Sequence, residues 1–261
     1  MREMSRKLST VLCVIAALAA CSSPTTIKAV ADNPVAYDGK TVTVTGVVRG
    51  MGHGAYMVSD REGHEVYLVN VNMEGRVPPG NGETAKLTGV VDLEWAVKYN
   101  MRVFQTVFEA WAVDHNGNYP NASISWKAGD GEVIGIPNYL PGGDPIGTDG
   151  TPVAGRYPTN PFSGKAYEFG KDLFFFPDTL KVEGANRKSE EGGPFTGLSA
   201  PGGITGTIVI LGYIPDHVSE YGRVQEYAII GFGKQTKNPM YDSEPASHDG
   251  ASPTTHFVLH N

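Results

Sequence analysis

Three kinds of apolar pattern run along this 261-residue chain. A continuous apolar run, "LSTVLCVIAALAA", follows the short basic start "MREMSRK". It is too short and wrongly flanked to stay as a membrane span, so it predicts an export signal over residues 1–20 rather than an element of the fold. Four β-branched or aromatic runs follow, "KTVTVTGVVRG", "AYMVSD", "HEVYLVN" and "TAKLTGVVD". Their largely alternating character and the Gly-rich or Asp-Gly-type turns between them predict a small barrel or sandwich. Ahead of them, "TIKAVADNPVAYDGK" fits one short helix, with Thr25 or Thr26 as N-cap and Pro34 ending it.

The third pattern is helical. Between Trp95 and Val113, the residues Val97, Met101, Phe104, Phe108 and Trp111 recur at gaps of four and three, which is one face of an α-helix. Trp95, Tyr99, Val103, Val107 and Ala110 make a second apolar band, while Lys98, Arg102, Gln105 and Glu109 form one narrow polar stripe. A helix apolar over most of its circumference must be covered on more than one side. One band is therefore expected on a C-terminal sheet and the other against the β domain or a long loop, with the polar stripe in solvent. Asn116-Gly117 can adopt the left-handed conformation that closes a helix, and Pro120 prevents its resumption.

Cysteine usage adds a constraint. The only cysteines are Cys13, inside the leader, and Cys21, at its end. Once the leader is removed no pair remains, so neither a disulfide nor a thiolate metal site can form, and folding must rest on a hydrophobic core. The formal charge is −7. Loss of Arg2, Arg6, Lys7 and Glu3 with the leader takes it to about −9, which makes nucleic acid a poor partner.

"LAAC", Leu18 to Cys21, resembles the lipobox of bacterial lipoproteins, in which the cysteine is acylated and becomes the new N-terminus. The resemblance implies lipidation at Cys21, with "SSPTT" as a polar tether behind the anchor. An ordinary cleaved signal with a chance cysteine is the bland alternative. The stretches "NPVAYDGKTVTVTGVV", "YMVSD" and "RVPPGNGETAKLTGVV" resemble an oligonucleotide/oligosaccharide-binding (OB) barrel of small exported bacterial proteins. That fold would have five strands where four are counted, so either a fifth comes from elsewhere or the barrel is open.

"NMRVFQTVFEAWAVDHNGNYP" resembles the exposed half of the long helix in type IV pilin-like and type II secretion pseudopilin-like proteins. There the helix runs into a long loop and then an antiparallel sheet. "TNPFSGKAY", "APGGITGTIVILGYI" and "QEYAIIGFGK" are similar to the loop segment, the Pro-Gly-led strand and the last strand of that family. A pilin begins with a membrane-spanning segment that later forms the filament core. Here a β domain and a lipid anchor stand in its place, and Glu94, Lys98 and Arg102 at the helix start would be costly in such a core. The chain resembles a pilin-like head reused on a lipoprotein.

Chemical motifs are sparse. "GMGHGAY" has phosphate-loop glycines but joins two strands, so a hairpin is expected. Asp114, Asn116 and Asn118 have the first spacings of a calcium loop without its glycine and distal glutamate. "GFGKQTKNPMYD", where some pseudopilins bind calcium, carries a lysine in place of acidic ligands. His248, His256 and His260 lie in a Ser/Pro-rich tail expected to be solvated. With no nucleophile or paired-carboxylate motif, no catalytic, cofactor or metal residue is assigned, and Cys21 is the one site residue.

The expected fold is α+β: a small OB-like β-barrel followed by a pilin-like domain, one long helix packed on an antiparallel sheet. The expected segments are a signal peptide over 1–20, lipidated Cys21 and tether over 21–29, the OB-like domain over 30–93, the pilin-like domain over 94–236 and a flexible tail over 237–261. The resemblances imply a non-enzymatic lipoprotein exported to the bacterial cell envelope, at the outer membrane or cell surface. It would bind or scaffold an envelope protein partner in or beside type II secretion or type IV pilus-like machinery. The alternative is a ligand-binding lipoprotein whose OB-like face holds a glycan or peptide.

Overall fold

The computed structural model describes residues 25–52, 54–72, 77–120, 135–176, 198–213, 226–237, 239–240 and 258–260. Two compact units are present, one of residues 1–32 and 37–91, the other of residues 33–36 and 92–261.

In the first unit, helix α1 spans Ile27–Asp32. The hydroxyl of Thr26 accepts the Ala29 amide at 3.1 Å, so Thr26 is the N-cap. Ile27 and Val30, one turn apart, are both buried. The tether expected to run to residue 29 therefore stops short of Ile27, because an apolar side chain with a place in the core is not left in solvent. Pro34 stops this helix but also opens a second, α2, Pro34–Tyr37. A proline lacks only an amide hydrogen that a first turn does not use.

Strands β1 (Thr41–Gly50), β2 (Tyr56–Ser59), β3 (Glu65–Val69) and β4 (Thr84–Val91) follow the four alternating runs. On β1, Val42, Val44 and Val48 are buried while Thr41, Thr45 and Arg49 are exposed, the alternation of a sheet with one wet face. The four antiparallel strands form a closed barrel, so the expectation of a missing fifth strand or an open barrel is corrected. The reason is that β1 serves two neighbours: Thr41–Val47 pair with β4 and Val47–Gly50 with β2. Leu68 opposite Val91 and Val69 opposite Val90 complete the ring. Gly46 allows the closure, since a side chain there would run into the Ser59 carbonyl and the Ile27 side chain.

The second unit is built on α3, Leu93–Asp114, whose N-cap Asp92 accepts the Trp95 amide at 2.9 Å. Leu93, Ala96, Val97, Asn100, Met101, Phe104, Val107, Phe108, Trp111 and Ala112 are its buried positions. Trp95, Tyr99 and Val103 are half-buried and Ala110 is exposed. The helix thus buries one broad face rather than two separate bands. The face is completed by Ala96, Asn100 and Ala112, which an aromatic and aliphatic count passes over. Its cover does come from two sides. The Phe108 ring lies 5.2 Å from Tyr227 and 6.2 Å from Phe175, whereas Phe104 meets Tyr167 at 5.9 Å and Trp111 meets Tyr139 at 5.5 Å. The helix ends as its sequence predicts. Asn116 and Gly117 take φ of 55° and 76°, and the Gly117 amide reaches back to the Ala112 carbonyl at 2.8 Å.

After a 3₁₀ turn at Ile136–Tyr139, β5 (Thr159–Asn160) and β6 (Lys165–Ala166) form a small hairpin. Strands β7 (Leu173–Phe176), β8 (Ile208–Tyr213), β9 (Glu226–Gly231) and β10 (Val258–His260) make a sheet of order β10-β9-β8-β7. The expectation of an antiparallel sheet is corrected here, because β7 and β8 run parallel. Parallel neighbours need a crossover of about a dozen residues or more, and residues 177–207 supply that length. The expected flexible tail is corrected in part as well: Val258–His260 pair with Ala228–Ile230, where β9 otherwise ends the sheet. Tyr227, Ile229 and Gly231 alternate toward α3, and a side chain at Gly231 would strike Met101, Met240 and Val97. On the opposite face Val209, Ala228 and Ile230 pack with Ala200 and Phe232.

Candidate functional site

The one site residue expected from the sequence, Cys21, lies outside the described residues. The described chain begins at residue 25, and its entry into the barrel has a definite geometry. Thr26 caps α1, and Ile27 enters the barrel beside Gly46 and the carbonyl of Ser59, the last residue of β2. Helix α1 therefore packs at the level of Gly46, in the middle of β1, where β2 ends.

That turn is organised by Asp60. One carboxylate oxygen accepts the amides of Glu62 and His64, each at 2.9 Å. The other meets His64 Nδ1 at 2.8 Å. Burial alone would raise the Asp60 carboxyl, but the hydrogen bonds from His64 and Glu62 and the nearby imidazole outweigh it and hold it below its ordinary value. On the strand beyond, burial pushes Glu65 up, against the opposing effects of the Tyr67 hydroxyl at 2.9 Å and the Arg49 charge. In this turn Arg61 and Glu62 are exposed. Lys28 and Asp32 pair at 3.3 Å on the outer side of α1, and Val47 keeps 38% of its surface in solvent.

The other motifs singled out in the sequence are occupied by backbone architecture. In "GMGHGAY" the Met51 amide donates to Ala55 and the Ala55 amide to Gly52, which closes the β1–β2 hairpin. Asp114 accepts the Tyr139 hydroxyl at 2.8 Å, and the Asn118 amide group donates to the His115 carbonyl at 2.9 Å. Both therefore serve the helix end. Glu94 accepts the Lys234 amide at 3.0 Å, tying the helix start to the turn after β9. His248 and His256 lie outside the described residues, and His260 stands in β10. Among the described residues no three His, Cys, Asp or Glu side chains are placed to share a metal ion.

Two polar groupings were not anticipated from the sequence. The first is a buried knot around the β5–β6 hairpin. Asn160 Nδ2 donates to Asp172 at 2.9 Å and to the Thr205 carbonyl at 3.2 Å, while its Oδ1 accepts the Phe162 amide. Asp172 also accepts the Glu168 amide at 2.8 Å. The Asn100 amide group donates to the Thr159 carbonyl at 2.8 Å, and the Tyr167 hydroxyl to Gly206 at 2.7 Å. Burial pushes the Tyr167 phenol well above its ordinary value; the Asp172 charge adds to this and the Asn100 hydrogen bond opposes it. Both Asp172 oxygens are engaged, so this knot clamps helix, hairpin and sheet together. Its one sequence signal was an asparagine on the apolar stripe of α3.

The second grouping lies on the polar stripe of α3, where Arg102 and Glu109 are exposed and Lys98 and Gln105 are half-buried. Glu109 accepts the hydroxyl of buried Tyr227 at 2.5 Å and that of Tyr119 at 3.2 Å. Burial, together with this carboxylate, raises the Tyr227 phenol far above its usual range. A long side chain at the border of a helix's buried face can reach around to a partner that helical spacing does not reveal.

Set against protein-family models, curated proteins and solved structures, the chain matches none of them.

Proposed function

We propose that this chain is a lipid-anchored protein of the bacterial cell envelope that acts without catalysis, binding or scaffolding a protein partner. The observation that carries the reading is the position of Cys21. It closes a basic, then apolar leader and precedes by only a few residues a capped helix whose Ile27 is already buried. An acyl chain on Cys21 would attach the folded barrel directly to a bilayer. No helix among the described residues is long and apolar enough to cross a membrane.

The second unit supports a pilin-like head in this role. A long helix with one broad buried face, stopped at Asn116-Gly117, lies on a sheet that follows a long loop. The parallel β7–β8 pair departs from that family's plan, so the likeness is to the helix-on-sheet construction rather than to the full strand arrangement. Such a head, carried behind a β-barrel, suits a component beside a secretion or pilus-like assembly rather than a filament subunit.

The anchor is tested by growing cells with labelled fatty acid. Wild-type protein should carry the label and sediment with membranes, whereas Cys21→Ala should lose both properties. An unlabelled wild type together with a membrane-bound Cys21→Ala variant would overturn the reading. Pull-down from detergent-solubilised envelopes tests the scaffolding role: a protein partner is expected, and recovery of a glycan on the barrel instead would favour the ligand-binding alternative.

A further inference from the structure

We propose that the outer side of α3 pairs with the same side of a second copy of this chain, the two helices running antiparallel about a two-fold axis at Thr106. The pairing rests on α3 alone and holds whether or not Cys21 is acylated. Beside its buried face the helix carries an apolar stripe that is open to solvent. Thr106, Ala110 and Val113 are exposed, Val113 keeping 82% of its surface, and Tyr99 and Val103 are half-buried. These five residues recur at gaps of four, three, four and three, the spacing of a seam between two helices.

The occupant is a second copy because the stripe is complementary to itself. Tyr99 and Val113 each lie seven residues from Thr106, and Val103 and Ala110 lie three and four residues from it. Reversal about Thr106 therefore sets Tyr99 against Val113 and Val103 against Ala110, a larger side chain against a smaller one each time. A two-fold axis makes every such contact twice.

Charge fixes the direction. Arg102 and Glu109 are both exposed and stand seven residues apart, so they share one flank of the seam. Antiparallel pairing brings each Arg102 guanidinium beside the Glu109 carboxylate of the other copy. That carboxylate is already held in place by the hydroxyls of Tyr227 and Tyr119, and it keeps acceptor capacity for a further donor. Parallel pairing would instead set like charges against one another. From Tyr99 to Val113 the seam is about 21 Å long at 1.5 Å per residue. A contact of that length is smaller than a standard interface, so the dimer forms at high concentration and dissociates in dilute solution.

Photo-crosslinking of the purified full chain tests this. With Thr106 replaced by benzoylphenylalanine, irradiation between about 1 μM and 1 mM should give a covalent dimer that rises with concentration and joins α3 to α3. Arg102→Glu and Ala110→Glu, both at exposed positions, should each lower the dimer yield about tenfold or more while thermal melts in dilute solution show the fold intact. Lys165→Glu, exposed on the β5–β6 hairpin, should leave the yield unchanged. A chain that stays monomeric throughout, or a dimer that persists in both charge variants, would overturn the pairing. Cross-links that end outside α3 would overturn it as well and give the stripe another occupant.

Discussion

The barrel unit and the helix-on-sheet unit use similar β-rich segments in opposite ways. Each barrel strand has one face in the core and one in water, so Val42, Val44 and Val48 alternate with Thr41, Thr45 and Arg49. Pairing is antiparallel throughout. In the second unit β8 and β9 are covered on both faces: Ile208, Ile210, Tyr227 and Ile229 are buried, and so are Val209, Ala228 and Ile230. Alternation disappears there because neither face is wet, and with it goes the signal that would tell one face from the other. The second unit also buries polar groups in numbers, including Asn100, Asn160, Asp172 and Thr207. Its stability should therefore depend on large aromatics and on hydrogen-bond geometry, that of the barrel on small aliphatic packing.

The largest expected effects are at Phe104 and Phe108. Truncation of either to Ala should cost about 3–5 kcal/mol in denaturant unfolding. Val58→Ala in the barrel should cost about 1.5–2 kcal/mol, since only two methyl groups leave a filled interior. Equal losses in the two units would break the contrast. Next comes Asp172→Ala, which strips acceptors from the buried Asn160 amide and the Glu168 backbone amide. It should destabilise by about 2–3 kcal/mol, and a loss under about 0.5 kcal/mol, the usual surface value, would show that the knot is not a clamp.

Glu109→Ala should cost about 1–3 kcal/mol, because the buried Tyr227 hydroxyl loses its carboxylate acceptor. Arg102→Ala, on the same polar stripe and likewise exposed, should stay within about 0.5 kcal/mol. Identical melts for these two variants would show that the Glu109–Tyr227 hydrogen bond contributes no stability.

The smallest effects are pH-dependent and lie within the barrel. The folded pKa of Asp60 is lowered, so its carboxylate stabilises above the unfolded value of about 3.9, and this is lost as pH falls through the folded value. Asp60→Asn should therefore destabilise at neutral pH and match wild type in strong acid. Glu65 has the opposite sign. Its folded pKa is raised, so the stability it contributes is complete below about 4.3 and lost as pH rises through the folded value. Glu65→Gln should stabilise at neutral pH, with the gain vanishing below about pH 4. Parallel pH profiles for the two variants would contradict these assignments.

The sequence by itself determined what local chemistry specifies. The four alternating runs placed the barrel strands within a residue or two, the Phe104 and Phe108 stripe placed α3, and Asn116-Gly117 placed its end. Each depends on side-chain periodicity or on a left-handed backbone position, which a short stretch carries alone. Only the tertiary structure decided that β1 serves two neighbours and closes the barrel with four strands. It alone decided that β7 joins β8 in parallel, that Val258–His260 complete the sheet, that Asn160 and Asp172 bury one another, and that Glu109 accepts the hydroxyl of buried Tyr227. Those choices join residues far apart along the chain. Their free energy depends on which hydrogen-bond partner is within reach and which face is dry, and neither quantity exists until the segments are packed.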